Sequence, residues 1–373
     1  MRVIILGTAW PYRGGLAAFN ERLAREFMAE GHEVEILTFT MQYPDFLFPG
    51  KTQYSDDPQP KDLRITRVMN SVNPVSWIRT GRMIRQKKAD LLVVKFWIPL
   101  MAPCLGTIAR IARKGGTKVV SVLDNVIPHE PHFWDKWFIR YFIGSADRFV
   151  AMSDSVRADC RRFISRKHPQ PITLCPHPLY DNFGAPIPKD EARKQLGLDK
   201  DAVCLLFFGF IRDYKGLDLL MKAYADPRFA GKKVQLVVAG EYYNNGAQYT
   251  ELEQRLGLQG RIVWHTDFIP DDKVRVYFSA ADLIVQPYKT ATQSGVTQIA
   301  YHFCKPMLVT NVGGLAEIVP NGKVGYVTAV EPKAIADAIL DFCERGDVEC
   351  FRTGIEEEKR KYAWSRMTDA IMN

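Results

Sequence analysis

The chain has 373 residues, 47% of them hydrophobic and 12% aromatic, so it is folded throughout and too long for one ordinary core. Its seven cysteines form no CxxC pair, which argues against a metal or disulfide framework and suits a reducing cytosol. The net charge of +8 is uneven: residues 1–184 hold 26 Lys/Arg against 17 Asp/Glu, and residues 185–373 hold 24 against 25. This suggests an anionic partner on the first half, whether a membrane surface, a lipid phosphate or a nucleic acid, the alternative being that the charge serves solubility alone.

In chain order, VIILG (3–7) reads as a buried strand reached directly from Met1-Arg2, so no leader is expected. GTAWPYRGGLAAF (7–19) follows, and Gly14 and Gly15 open a candidate helix, GLAAFNERLAREFMAEG (15–31). Backbone amides at that helix start can be approached closely by a phosphate or a sugar. The spacing is not GxGxxG, and no acidic residue follows the next strand, EVEILTF (33–39), where a ribose would need one. A nicotinamide cofactor is therefore not expected. SWIRTGRMIRQKK (76–88) sets Arg79, Arg82 and Arg85 on one helical side, which suits a membrane surface, a polyprenyl diphosphate or an ordinary solvated face.

Strands LLVVKF (91–96) and KVVSVL (118–123) come next, separated by WIPLMAPCLGTIARIA (97–112), which falls short of the roughly 20 apolar residues that cross a bilayer. Asp124 and Asn125 stand at the second strand's carboxyl end, with His129, Glu130 and His132 close behind. A carboxylate or imidazole there can orient or deprotonate a hydroxyl. The alternative is a capped loop with His129 packed on Trp134. Two histidines without a third ligand are not a zinc site. RFVAM (148–152) and a helix over SVRADCRRFISRK (155–167) complete the first half.

The proline-rich segment 174–197 reads as a linker. Beyond it, VCLLFFG (203–209) turns at Gly209, presents Arg212 and Lys215 three positions apart, and enters a helix at Lys215-Gly216. A strand end, a turn and a helix start can form an anion site, to which the two cations add a fork and a point charge suited to a diphosphate; the alternative is an exposed basic turn without a ligand. VQLVVAG (234–240), RIVWH (261–265), LIVQP (283–287) and PMLVT (306–310) are the other strands. Ser294-Gly295-Val296 starts a further helix, and Asn311-Val312-Gly313-Gly314 precedes Glu317. Asp199-Lys200-Asp201 reads as a surface turn. Strand–helix alternation in both halves predicts an α/β protein of two facing doubly wound, Rossmann-like domains, over 1–180 and 185–357. The charged tail 355–373 reads as one amphipathic helix.

YRGGLAAF, LDNVIPHE, GFIRDYKGLDLL, SGVTQIAYHFCKPMLVTNVGGLAEIV and the Trp364-containing tail, taken in this order, resemble the family-4 glycosyltransferases of GT-B fold over nearly the whole chain. The resemblance implies transfer of a sugar from a nucleotide-diphosphate donor, with retention and with neither metal nor other cofactor. It implies that Arg212 and Lys215 hold the diphosphate and stabilise the leaving group. It also implies that Gly15 offers an amide near phosphate or acceptor, and that the tail helix, 358–373, crosses back onto the first domain. One departure stands out. The family's two glutamates, eight positions apart around the SGV helix, are replaced by Ala291-Thr292-Gln293 and Ile299-Ala300. Asp124 stands where the family often has histidine.

The expected function is thus a cytoplasmic glycosyltransferase of polysaccharide or cell-surface glycan biosynthesis, with peripheral association at the inner membrane face. Donor residues are Gly15, Gly209, Arg212, Lys215, Gln293, Ser294, Gly295, Val296 and Gln298. Acceptor residues, for a glycan or polyprenyl-diphosphate-linked acceptor, are Gly14, Gly15, Asp124, Asn125 and His129. Asp124, His129, Arg212 and Lys215 are the catalytic candidates. No stacked-aromatic groove is visible, so nucleic acid is not an expected partner. The alternatives are a nucleotide-sugar-binding protein without catalysis and a sugar-nucleotide epimerase.

Overall fold

A computed structural model describes the whole chain except residues 45–51, 56–57, 129–131, 168, 244–245, 292–293 and 346–348. It divides into two compact units, Met1–Pro178 with Trp364–Asn373, and Leu179–Ala363.

The first unit runs β1 (Arg2–Leu6), α1 (Gly15–Ala29), β2 (Glu33–Met41), β3 (Ile65–Asn70), α2 (Pro74–Gln86), β4 (Leu91–Phe96), α3 (Ala102–Arg113), β5 (Lys118–Leu123), α4 (Asp135–Ile143), β6 (Arg148–Ala151), α5 (Asp154–Arg161) and β7 (Ile172–Leu174). Its sheet is parallel, in the order β3-β2-β1-β4-β5-β6-β7. β1, β4 and β5 are apolar on both faces because both faces are covered. One face packs Val3, Ile5 and Val93 against Phe19 and Phe27 of α1, and against Trp364, Met367 and Ile371 near the C-terminus. The opposite face packs Ile4, Leu6, Leu92 and Val94 against the α2–α4 layer.

The second unit runs α6 (Lys189–Gln195), β8 (Val203–Phe208), α7 (Leu217–Tyr224), β9 (Val234–Ala239), α8 (Ala247–Arg255), β10 (Ile262–His265), α9 (Asp271–Ala280), β11 (Leu283–Gln286), α10 (Gly295–His302), β12 (Met307–Thr310), α11 (Leu315–Ile318), β13 (Gly325–Thr328), α12 (Pro332–Arg345) and α13 (Glu349–Lys359). Its parallel sheet has the order β10-β9-β8-β11-β12-β13. The buried Arg193 of α6 ties the unit together: its guanidinium reaches Asp282 at 2.5 Å and the Ala280 carbonyl at 3.1 Å.

Five elements differ from the sequence reading. β3, β7 and β13 were absent from it, and each is an outer strand that is only partly buried, so none carries a continuous apolar run. The helix expected over 155–167 ends at Arg161. The tail is two helices rather than one, α13 and α14 (Trp364–Met372), broken where Ala363 adopts an extended backbone. α14 belongs to the first unit, where the Trp364 ring lies 5.1 Å from that of Phe19 and Thr368 donates to Glu30.

Strand order reverses between β1 and β4 in the first unit and between β8 and β11 in the second. Loops beyond the carboxyl ends of strands at such switch points are where doubly wound sheets bind ligands. The Gly14-Gly15 loop follows β1, the Arg212 turn follows β8, and the Ser294 turn follows β11.

Candidate functional site

In the second unit the turn after β8 is held in place by its backbone. Gly209 N donates to Ala239 O, Ile211 N to Glu241 O, and Tyr243 N to Ile211 O, at 2.9, 2.8 and 3.1 Å. The β8–β9 pairing therefore continues past both strand ends. Residues 213–215 make a single 3-10 turn, and Gly216 (φ 70°) redirects the chain into α7. The helix thus begins at Leu217. Gly216 is required twice over: a methyl there would sit 1.9 Å from the Pro287 carbonyl oxygen, as well as facing the left-handed backbone penalty.

Arg212 and Lys215 meet in this turn. The guanidinium lies 3.7 Å from the ring centre of Tyr243, a cation–π contact that fixes its plane. Lys215 is only 8% exposed, and its ammonium lies 5.7 Å from the ring centre of Tyr288. Burial, and then the charge of Arg212, pull its pKa down to about 8. The nearby acids are already engaged: Asp213 and Asp218 bind Lys289 at 2.8 and 2.9 Å. Among the described residues no carboxylate pairs with Arg212 or Lys215. Two adjacent cations without an acid form a site for an anion with at least two charges.

Gly209 (φ 93°) lies against the same turn. A methyl on it would lie 2.9 Å from Lys215 Nζ and 3.9 Å from Val296, so Gly209, Lys215 and Val296 converge. Ser294 caps α10 by accepting from Val296 N at 3.2 Å, and its hydroxyl lies 3.3 Å from that of Tyr288. Gly295 makes room for Tyr180, whose ring a methyl would meet at 2.8 Å. Gln298, one turn into α10, is fully buried, and both of its amide atoms lack a hydrogen-bond partner among the described residues. The same holds for Gln286 at the carboxyl end of β11. Orphaned buried amides cost stability unless a ligand or water satisfies them. Gln293 lies outside the described residues.

In the first unit Gly14 (φ 100°, exposed) caps α1 with its backbone alone, and no acid stands in the first helical turn. Gly15, also exposed, is the first helical residue. Asp124 is held by Lys95: the ammonium is 2.7 Å from Oδ1 and only 2% exposed. The same ammonium sits 3.3 Å from the ring centre of Phe19. Burial first and the Lys95 charge second pull the pKa of neighbouring His177 down to about 3, so that imidazole is neutral. A carboxylate locked to a buried ammonium is held in one orientation and can position a hydroxyl. Asn125 is half-buried beside it. His129, and with it the expected packing on Trp134, lies outside the described residues; Trp134 stacks on His132, with ring centres 4.9 Å apart.

Lys95, Gln286 and Tyr243 were missed by the sequence reading. Lys95 alone left a signal there, as the one charge inside the apolar run LLVVKF. Among the described residues no three His, Cys, Asp or Glu side chains group to hold a metal.

Residues 13–179 match the family Glycosyltransferase Family 4, and residues 188–361 match Glycosyl transferases group 1. A D-inositol 3-phosphate glycosyltransferase of Catenulispora acidiphila is 29% identical over 236 residues, 60% of this chain and 54% of that protein. A lipopolysaccharide 1,2-N-acetylglucosaminetransferase of Salmonella typhimurium is 28% identical over 200 residues, 48% of this chain and 50% of that protein. The chain thus matches about half the length of these curated relatives. Among solved structures, Anabaena HepE in complex with UDP superposes with a TM-score of 0.73 at 16% identity, covering 100% of this chain and 98% of that one. Sucrose-phosphate synthase from Thermosynechococcus elongatus does so at 0.72 and 18%, covering 100% and 97%. With two parallel-sheet Rossmann-like units and family matches along both, the chain belongs to the family-4-type glycosyltransferases of GT-B fold.

Proposed function

We propose that this protein moves a sugar from a nucleoside-diphosphate sugar to a glycan or lipid-linked acceptor, with retention at the anomeric carbon and without a metal ion. The observation that carries this reading is the pair Arg212 and Lys215, whose neighbouring acids are occupied by Lys289. A diphosphate answers both charges. As the bond from the anomeric carbon to the diphosphate breaks, negative charge grows on the leaving group. Fixed cations stabilise that charge more in the transition state than in the ground state. The acceptor oxygen takes the diphosphate's place on the carbon, and its proton passes to the departing diphosphate oxygen.

Gln298 and Gln286 are the residues we assign to the donor in place of the absent glutamates, because their amides are buried and unsatisfied. Asp124, braced by Lys95, orients the acceptor hydroxyl on the first unit. Capture of UDP by HepE supports a uridine donor, and the lipopolysaccharide relative supports a surface-glycan acceptor. An acceptor built on lipid supports a cytoplasmic protein held peripherally at the inner membrane face.

A second reading, donor binding without turnover, is favoured by one observation: α10 bears Ile299 and Ala300 and no carboxylate. Incubating the protein with a panel of nucleotide sugars and glycan acceptors, with a chelator present, separates the two. The proposal expects acceptor-dependent release of nucleoside diphosphate, insensitive to chelation, and a product with the donor's anomeric configuration by NMR. Binding without release for every pair establishes the second reading.

A further inference from the structure

We propose that the outer face formed by α2, α3 and α4 is a docking surface for an anionic lipid bilayer. The inference rests on the reading that the acceptor is carried by a lipid, and it names the surface involved.

Two helix-interior glycines draw these helices together. A methyl on Gly81 of α2 would lie 2.7 Å from Ile111 of α3, and one on Gly106 of α3 would lie 3.0 Å from the Tyr141 ring of α4. The Thr107 and Tyr141 hydroxyls are 2.7 Å apart, and the Arg110 guanidinium covers the Tyr141 ring at 3.8 Å. Because α2, α3 and α4 each follow a parallel strand, all three begin at the same carboxyl edge of the sheet. Large apolar side chains are exposed there: Val75 and Ile78 on α2, Leu100 just before α3, and Phe133 and Trp137 at α4. Phe133 is 88% exposed and Trp137 75%.

The pattern on α4 separates this face from an ordinary solvated one. Phe133, Trp137 and Tyr141 recur every four residues, making one aromatic stripe, and Lys136 and Arg140 make a cationic stripe beside it. The helix's own acid, Asp135, is buried and accepts from His132 N at 2.7 Å. Arg79, Arg82 and Arg85 continue the positive charge along exposed α2. Contiguous exposed aromatics are uncommon on soluble surfaces. Aromatic rings at headgroup depth with lysine and arginine on the phosphates are the chemistry of an interfacial helix. The excess positive charge of residues 1–184 has the matching sign.

The test uses the full chain and sedimentation with vesicles of phosphatidylcholine alone or of equal parts phosphatidylcholine and phosphatidylglycerol. Wild type should partition onto the anionic vesicles, and less so as salt rises. Phe133→Ser with Trp137→Ser, and Lys136→Glu with Arg140→Glu, should each weaken partition about tenfold or more. Both pairs alter exposed side chains, so melting temperature, nucleotide binding and turnover on a water-soluble acceptor should match wild type. The proposal fails if wild type ignores anionic vesicles or if both variants partition unchanged. It also fails if the Phe133/Trp137 change instead lowers the oligomeric mass in solution, which would make the face a contact between copies. Vesicle binding without turnover on any acceptor would leave the surface standing and overturn the transferase reading.

Discussion

Lys215 is charged only while its surroundings tolerate the charge. Burial and Arg212 depress its pKa to about 8, so the empty site loses the ammonium as pH rises past that value. A bound diphosphate favours the protonated form. Donor affinity, measured by titration calorimetry, should therefore be steady below about pH 7 and fall as pH rises through 8. Stability of the empty protein moves the other way. The unfolded lysine holds its proton up to a pKa near 10.4, so the unfolded state binds more protons between about 8 and that value, and stability rises with pH there. Lys215→Met should flatten both trends, and a donor affinity indifferent to pH would contradict the assignment. At this scale legibility depended on local context. Arg212 and Lys215 were legible because a strand end, a glycine and a helix start are adjacent in sequence. Lys95 stood out as a lone charge in an apolar run, but its pairing was not legible, since Asp124 lies just past the end of the neighbouring strand β5. Gln286 carried no signal because being orphaned is a property of three-dimensional packing.

The turns between elements carry as much of the site as the side chains do. Gly197 and Gly216 both have left-handed φ, 66° and 70°, but a methyl at Gly197 meets nothing within 4 Å whereas one at Gly216 meets the Pro287 oxygen at 1.9 Å. Gly197→Ala should cost about 1–2 kcal/mol in denaturant unfolding and leave donor binding intact. Gly216→Ala should cost more than about 3 kcal/mol and weaken donor binding as well, because the turn must shift off Pro287 and carry Lys215 with it. Equal effects at the two positions would contradict the close approach. The inner strands were legible as unbroken apolar runs, buried on both faces. The outer strands β3, β7 and β13 were not, because half-burial mixes residues such as Arg67 and Asn70 into them. The break between α13 and α14 was also hidden, since the tail's amphipathic pattern continues through Ala363.

Over the whole molecule, two sheets of like topology bear the chemistry differently. The first unit carries the excess positive charge, the Lys95–Asp124 pair and the aromatic face of α4; the second carries the Arg212–Lys215 turn proposed to hold the diphosphate. Fold class was legible because strand–helix alternation recurs along most of both units, the β2–β3 step being an exception. The sugar end of the donor site was less so, because no acidic residue marks it. The central claim, that Arg212 and Lys215 grip a nucleoside diphosphate, is tested most directly by titrating the full chain and its Arg212→Ala, Lys215→Ala variant with a nucleoside diphosphate. Loss of two charge-assisted contacts should weaken binding about 100-fold or more, with the melting temperature of the empty protein unchanged or raised. A double variant that binds the diphosphate as wild type does would contradict the account.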